Sequence, residues 1–398
     1  MKPENRSKHL LSITRSKAKM YEYSVPKNDH IDISDYDPSK LYILTIGLIG
    51  DLSFYIIEKN QEKIEEVKEN LKFASQFFDA FLQSKLKEGH SDYLKLIGSA
   101  SYYLCDLQGS ASVLLNSLNY YSLDLSCNQL DKAIYSILGN QHIEIVEGQY
   151  IPELNNILAI YYRFIQTGDI SNLVDHLSAL RDRIYWFGTD REILFIDILF
   201  AIIFNKRKNS SWVSLPNYSR LDIELWRPII SKNSFIKELW SSQHLLGQQG
   251  IYQGKSAVIQ MPTSAGKTKS TEIIIRSSFL SCRANLAIIV APFRALCNEI
   301  KNDMINAFEG EENIKVDEFT DVLQIDEMDN LEILLNNEAD INTILVSTPE
   351  KLYFILKQAP ELASKIGLMI YDEGHQFDSG ERGVTIMYPE KRTNKKIF

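Results

Sequence analysis

Two short stretches of this 398-residue chain hold side chains whose types and spacing suit work on a phosphate. The first is "PTSAGKTKS" at 262–270. Gly266 can take backbone angles that bring its amide close to an anion, Lys267 can reach the outer phosphates of a nucleotide, and the Thr268 hydroxyl can ligate magnesium. The residues that follow, Lys269 to Leu280, have helical character and would aim a positive helix N-terminus at the same anion. The second stretch is "LMIYDEGHQFDSGERG", where an apolar run ends on Asp372 and Glu373. Phosphoryl transfer needs one carboxylate for magnesium and another group to orient the attacking water, roles that suit Asp372 and Glu373 respectively. An Asp-Glu pair at a strand end can also be a plain solvated cap, and only its pairing with the upstream loop favours chemistry. The full phosphate-loop pattern asks for glycine at 261, where Met261 stands.

Such groups need a rigid edge to project from. After residue 250 short apolar runs alternate with helix-length segments: "AVIQM" at 257–261, "LAIIVA" at 286–291, "TILVS" at 343–347 and "LMIYD" at 368–372. Runs without polar alternation suit strands buried on both faces, so this part is expected to be a doubly wound parallel sheet, with "AVIQM" leading into the phosphate loop. Ligands then belong at the carboxyl ends of the strands.

The first half reads differently. From Tyr42 to about Phe204 apolar residues recur at three- and four-residue spacing, as in helices. The tetrapeptide GSAS occurs at Gly98–Ser101 and again at Gly109–Ser112, and its small residues predict a close helical hairpin. No 34-residue period supports a tetratricopeptide solenoid. "NKRKNSSWVSLPNYSR" gathers charge, Ser, Asn and Pro and reads as a boundary. The expected organisation is an extension over 1–40, a helical domain over 41–205, a linker over 206–235, an α/β domain over 236–388 and a disordered tail over 389–398.

Composition excludes several classes. With 18 Gly and 11 Pro, the chain is neither collagenous nor of low complexity. Four cysteines without paired CxxC spacing argue against structural zinc and against a disulfide-stapled secreted domain, so a reducing cytoplasm is the natural home. The greasy stretches Leu41–Ile57 and Ile193–Phe204 are broken by Asp51 and Asp197 and fall short of a membrane span. A net charge of −9 gives no global field for nucleic acid. Twelve acids against only Lys315 lie between Glu309 and Asp340, which reads as a solvated face or loop that repels phosphates.

Taken together, MPTSAGKT, DEGH, the intervening "APFRAL" and "STPEKL", and "ERG" resemble the motifs of superfamily 2 DExH-box helicases, especially the Ski-like branch. The resemblance covers roughly residues 236–388 and implies a RecA-like domain that binds ATP and Mg2+. It makes Gly266, Lys267 and Thr268 the phosphate and magnesium site, lined by Thr263, Ser264 and Ala265. Asp372 becomes the magnesium carboxylate, Glu373 the hydrolytic one, and His375 the group coupling nucleotide to nucleic acid. Gln243 in "ELWSSQ" falls where the family keeps a glutamine for the adenine; alone it would be a surface glutamine. Pro292, Arg294 and Ala295, with Thr348, Pro349 and Lys351, match the family's contacts to a single-stranded backbone, DNA or RNA. A hydroxyl, amides at a helix start and single cations can follow phosphates without reading bases. Arg294 could equally be a surface cation, and Thr348 an ordinary N-cap ahead of proline.

No Ser/Thr-Ala-Thr motif and no second RecA-like domain follow DEGH. The chain therefore reads as the N-terminal portion of a helicase, ending shortly after the acidic motif. Arginines reaching the γ-phosphate contribute about a thousandfold or more, so this portion alone is expected to be a poor motor. The rival reading is a helical partner-binding protein with a vestigial or nucleotide-sensing RecA-like part, similar to components of bacterial antiphage defence systems. A P-loop kinase or GTPase is excluded by the DEGH pattern and the lack of an NKxD motif.

Overall fold

The computed structural model describes residues 38–83, 91–118, 129–261, 265–318 and 341–374, with a few isolated positions before residue 30. By its contacts the chain divides into two units, one ending at Ser210 and the other beginning at Ser211.

The first unit is helical: α1 (Pro38–Ile57), α2 (Gln61–Gln83), α3 (Ser91–Leu104), α4 (Gln108–Asn116), α5 (Gln129–Gly139), α6 (Ile151–Thr167), α7 (Leu173–Phe187) and α8 (Asp190–Asn209). Both greasy stretches are helical, Ile193–Phe204 buried within α8 and α1 burying Ile49, Leu52 and Ile56 along one face, and no described helix is long and apolar enough to cross a membrane. The start of α8 is fixed by a reciprocal cap, in which Glu192 N–H donates to Thr189 Oγ1 and Thr189 N–H donates to Glu192 Oε2. Lys206, Arg207 and Lys208 complement the dipole at its other end. Phe195, Ile196, Ile198, Leu199, Ala201 and Ile202 bury nearly all round the helix, which makes α8 the axis of the unit. Asp197, the polar interruption, accepts from Arg181 Nε at 2.7 Å and from the Tyr185 hydroxyl at 2.6 Å. The two GSAS sequences do form a hairpin: Ser99 Oγ on α3 donates to the Ala111 carbonyl on α4 at 2.8 Å. A Cβ on Gly98 would stand only 2.8 Å from Leu114, so glycine is what allows that approach.

One buried acid in this unit gives stability a pH dependence. Asp131 on α5 is fully buried and accepts from Arg191 Nη2 at 3.0 Å, while that guanidinium lies over the rings of Tyr93 and Phe195. Burial pushes the Asp131 carboxyl up to about 6 against the pull of Arg191. A carboxyl raised on folding stabilises the protein fully when protonated, and that contribution is lost as pH rises through the folded value. Replacing Asp131 by Asn is therefore expected to improve stability relative to wild type by up to about 3 kcal/mol between about pH 4 and pH 7. Chemical denaturation of both proteins across that range checks it; parallel curves would show that Asp131 stays ionised throughout.

The second unit opens with α9 (Ser211–Ser219), α10 (Ile223–Ile230) and α11 (Ser241–Gln248), then a 3-10 turn at Ile251–Gln253. The stretch 206–235, expected as a linker, is thus mostly helix. Pro216 and Pro228 lie inside α9 and α10, yet Trp212, Leu215, Trp226 and Ile230 are buried, so packing overrides local breakers. The remainder is α12 (Lys267–Leu280), β1 (Leu286–Val290), α13 (Arg294–Ala307), β2 (Ile314–Glu318), β3 (Asn342–Ser347), α14 (Pro349–Gln358), α15 (Leu362–Lys365) and β4 (Ile366–Tyr371). The four strands form one wholly parallel sheet in the order β2-β3-β1-β4. An α-helical region followed by a RecA-like α/β domain is therefore the architecture, as the pattern implied.

One expected strand is missing. "AVIQM" forms no strand: it has no described strand beside it, Val258 is 103% exposed and Ile259 37%. An apolar pentapeptide becomes a strand only when a neighbour accepts its backbone hydrogen bonds. In the described part of the acid-rich run Glu309 and Glu312 are exposed, as a solvated face or loop requires, while Ile314–Glu318 is β2, an edge strand, and Glu311 is half-buried against Arg276 and Lys232. Residues 319–340 lie outside the described set.

Candidate functional site

Because the strands are parallel and Val290 is level with both Ser347 and Tyr371, three strands end together at one edge. Pro292 and Arg294 follow β1, Thr348 follows β3, and Asp372 follows β4. The Asp372 N–H donates to the Val290 carbonyl at 2.8 Å, which fixes the exit from β4 against its neighbour.

The phosphate loop reaches the same edge. Gly266 caps α12 in the left-handed region (φ 82°), a conformation glycine takes without strain, and this turn presents Lys267. Lys267 Nζ is ion-paired with Asp372 and lies 3.1 Å from Glu373 Oε1. Glu373 itself has φ 54°, uncommon for a non-glycine residue, and this turn keeps its carboxylate within reach of the same ammonium. Burial alone would lower the Lys267 ammonium, but its hydrogen bonds to Asp372 and Glu373 outweigh that and raise it. The lysine is thus a full cation at neutral pH. Two residues more than a hundred positions from the loop supply its counter-charge, the juxtaposition a phosphate-metal site requires.

The other expected residues divide. Thr268 is exposed on the first turn of α12. Gln243 is no surface glutamine; it is 3% exposed and packs behind Gly266. Arg294 is exposed as the first residue of α13, whereas Pro292 is buried. Thr348 is the N-cap of α14, its Oγ1 accepting from Lys351 N–H at 3.5 Å with Pro349 next in the helix. Lys351 is buried, so its side chain is not laid out on the surface as a phosphate-following cation would be. Thr263, Ser264 and His375 lie outside the described residues. Ser242 and Tyr252, which no motif marks, join the site by hydrogen bonds: Ser242 Oγ donates to the Ala265 carbonyl at 2.8 Å and the Tyr252 hydroxyl to the Gln243 carbonyl at 3.0 Å. Only their spacing around Gln243 could have drawn the eye.

A parallel α/β domain in which Lys267, at the start of a helix, meets an acidic pair at the carboxyl edge of the sheet has the RecA-like form. More particularly, residues 245–396 match the DEAD/DEAH box helicase family, so this second unit carries a superfamily 2 helicase-type domain. The chain is 23% identical over 353 residues to Hachiman protein HamB of Bacillus cereus, covering 82% of this chain and 30% of that protein. It is 29% identical over 153 residues to ATP-dependent DNA helicase Hel308 of Methanocella arvoryzae, covering 38% and 20%, and 27% identical over 157 residues to Hel308 of Thermococcus kodakarensis, covering 39% and 13%. The chain thus spans less than a third of the length of these relatives.

Proposed function

We propose that this chain is the ATP-binding portion of a DExH-box helicase of the Ski-like branch, in which a helical domain (41–205) precedes the first RecA-like domain (236–388). The observation that carries the reading is Lys267 held by Asp372 and Glu373 at the carboxyl edge of the sheet. The donor set fits ATP with Mg2+. A hard cation delivered on phosphates asks for one or two carboxylates and water rather than a full protein cage, and among the described residues no cluster of three or more His, Cys, Asp or Glu forms such a cage. Asp372 and Thr268 would hold the ion, which when bound neutralises charge on the phosphates. Lys267 would leave its carboxylates for the outer phosphates, Gly266 would offer its amide, and Glu373 would orient water, with His375 coupling the site to nucleic acid. Arg294 on exposed α13 is the best placed of the expected residues for a single-stranded backbone; Pro292, Thr348 and Lys351 would shape that surface from beneath.

The match to HamB extends the proposal to the helical unit. At 82% of the chain it runs well beyond the helicase-type domain, whereas the Hel308 matches do not. This supports a role beside a protein partner in a bacterial defence system, with the helical unit as the partner-binding part. Trp186 and Phe187 at the end of α7, 81% and 79% exposed, are among the apolar side chains it exposes.

Calorimetric titration with ATP, with and without Mg2+, tests the proposal, alongside fluorescence anisotropy with single-stranded DNA, chosen first because the Hel308 relatives are DNA helicases. Magnesium-dependent ATP binding, strengthened by the strand, is expected. A protein that takes up neither ligand would end the helicase reading.

A further inference from the structure

Helix α7 carries apolar residues on two sides. Leu173, Leu177, Leu180 and Ile184, at helical spacing, are buried and hold the helix in its unit. Trp186 and Phe187 follow on the last turn and stay 81% and 79% exposed. Tyr185 beside them is different: its hydroxyl donates to Asp197 at 2.6 Å and Arg181 lies over its ring, so it is tied to a buried carboxylate.

The charges around the exposed pair are of one sign. Asp182 stands one turn before Trp186 and Asp175 two turns before that, on the same face of α7, while Asp190 opens α8 just beyond Phe187. All three are exposed, and among the described residues none makes an ion pair. The arginines nearby are already engaged. Arg181 Nε donates to Asp197 Oδ1 at 2.7 Å, and Arg183 is ion-paired with Glu153. The corner where α7 meets α8 is thus an aromatic pair in a negative surround.

That combination selects its occupant. A nucleic-acid strand needs cations for its phosphates, and an anionic lipid surface needs them for its headgroups, so both are repelled here. A polypeptide that brings its own cations is attracted. Its lysines or arginines can pair with the aspartates and lie over the indole face, while its apolar side chains cover both rings. Tryptophan buried in this way is a common centre of binding energy.

We infer that the corner formed by Asp182, Trp186, Phe187 and Asp190 docks a protein partner through a basic, apolar segment. This rests on the partner-binding reading of the helical unit given above and adds the chemistry of the surface that meets it.

The test uses the full chain and three labelled probes: a lysine–leucine amphipathic peptide, its glutamate–leucine counterpart and oligo-dT. Binding is followed by anisotropy and by the part of the tryptophan emission that Trp186→Phe removes. The lysine peptide is expected to bind and to shift that emission to the blue. Trp186→Ala should lower its affinity by about tenfold or more, and Asp182→Asn should lower it severalfold, with the larger loss at low salt. Both side chains are exposed, so neither change should move the melting curve, and lost binding then means a lost contact. The inference is overturned if wild type does not bind the lysine peptide, or if Trp186→Ala binds it equally well. Binding of the glutamate peptide through Trp186 would overturn the inferred charge and leave the partner-binding reading standing. A Trp186 emission that responds to oligo-dT would instead make the helical unit a nucleic-acid surface, and that reading would fall together with this inference.

Discussion

Lys267→Ala is expected to lower the affinity for MgATP by about a hundredfold or more, since the lysine would make at least two charge-assisted hydrogen bonds to phosphate oxygens worth about 1.5–3 kcal/mol each. The geometry predicts a second, opposite effect that ordinary damage would not produce. In the resting site the ammonium neutralises part of the charge on Asp372 and Glu373. Without it Asp372 and Glu373 lose that counter-charge, so the affinity for a bare divalent ion should rise, by about tenfold given that Lys267 is 44% exposed and partly screened. Calorimetry reports the first effect and the paramagnetic signal of Mn2+ the second. A misfolded variant would lose both ligands. MgATP binding equal to wild type would show that Lys267 is a structural counter-ion and the phosphate site lies elsewhere.

What could be read from the sequence of this site was what local chemistry dictates. Gly266, Lys267 and Thr268 declare themselves because a phosphate loop needs those three types in that order, and Asp372 and Glu373 because an apolar run ends on them. Their meeting is expected from the pairing of the two motifs on one parallel sheet, and Lys267 is ion-paired with both carboxylates. "LAIIVA" and "TILVS" became strands buried on both faces, which their composition records, and "LMIYD" became the end strand β4, buried at Leu368 and Met369 and half-buried beyond. "AVIQM" has the same composition and is no strand, because pairing depends on a neighbour that no window of five residues can reveal. The helices at 211–219 and 223–230 escaped for the converse reason: Ser, Asn and Pro announce a loop, while the burial of Trp212 and Trp226 that overrides them is a tertiary fact. Gln243 was found by its place ahead of the loop, but the direction of its amide depends on Trp240 N–H, a backbone partner invisible to side-chain pattern. In the acid-rich run, likewise, the pairing of Glu311 with Lys232 and Arg276 is set by cations far from it in sequence.

Arg276→Met should be the most destabilising single change in the second unit, costing about 3–5 kcal/mol. Arg276 lies on α12, the helix that begins with Lys267, and its side chain is 1% exposed. Every face of the guanidinium is used: Nε donates to Glu272 Oε1 at 2.9 Å, Nη1 to both oxygens of Glu311 at 2.8 and 3.2 Å, and Nη2 to the Ala307 carbonyl at 2.7 Å. The ring of Phe308 lies 4.1 Å from it, a cation–π contact out of reach of solvent. Methionine fills the volume but leaves Glu272, 2% exposed, with Lys269 as its remaining ion pair, and Glu311 with Lys232. The cost is therefore mostly that of stranded carboxylates and only secondarily that of lost packing. Adding Glu272→Met to Arg276→Met should then recover part of the loss, since one buried charge is removed with its partner, and the two changes should be strongly non-additive. Arg276→Lys should fare little better than Met, because a single ammonium cannot span two carboxylates and a carbonyl that a planar fork meets at once. Urea denaturation followed by tryptophan fluorescence reads this directly, Trp212, Trp226 and Trp240 all lying in the same unit. A loss below about 1 kcal/mol would mean that the network behaves as a surface cluster and that α12, with the phosphate loop it carries, is anchored by its apolar face alone.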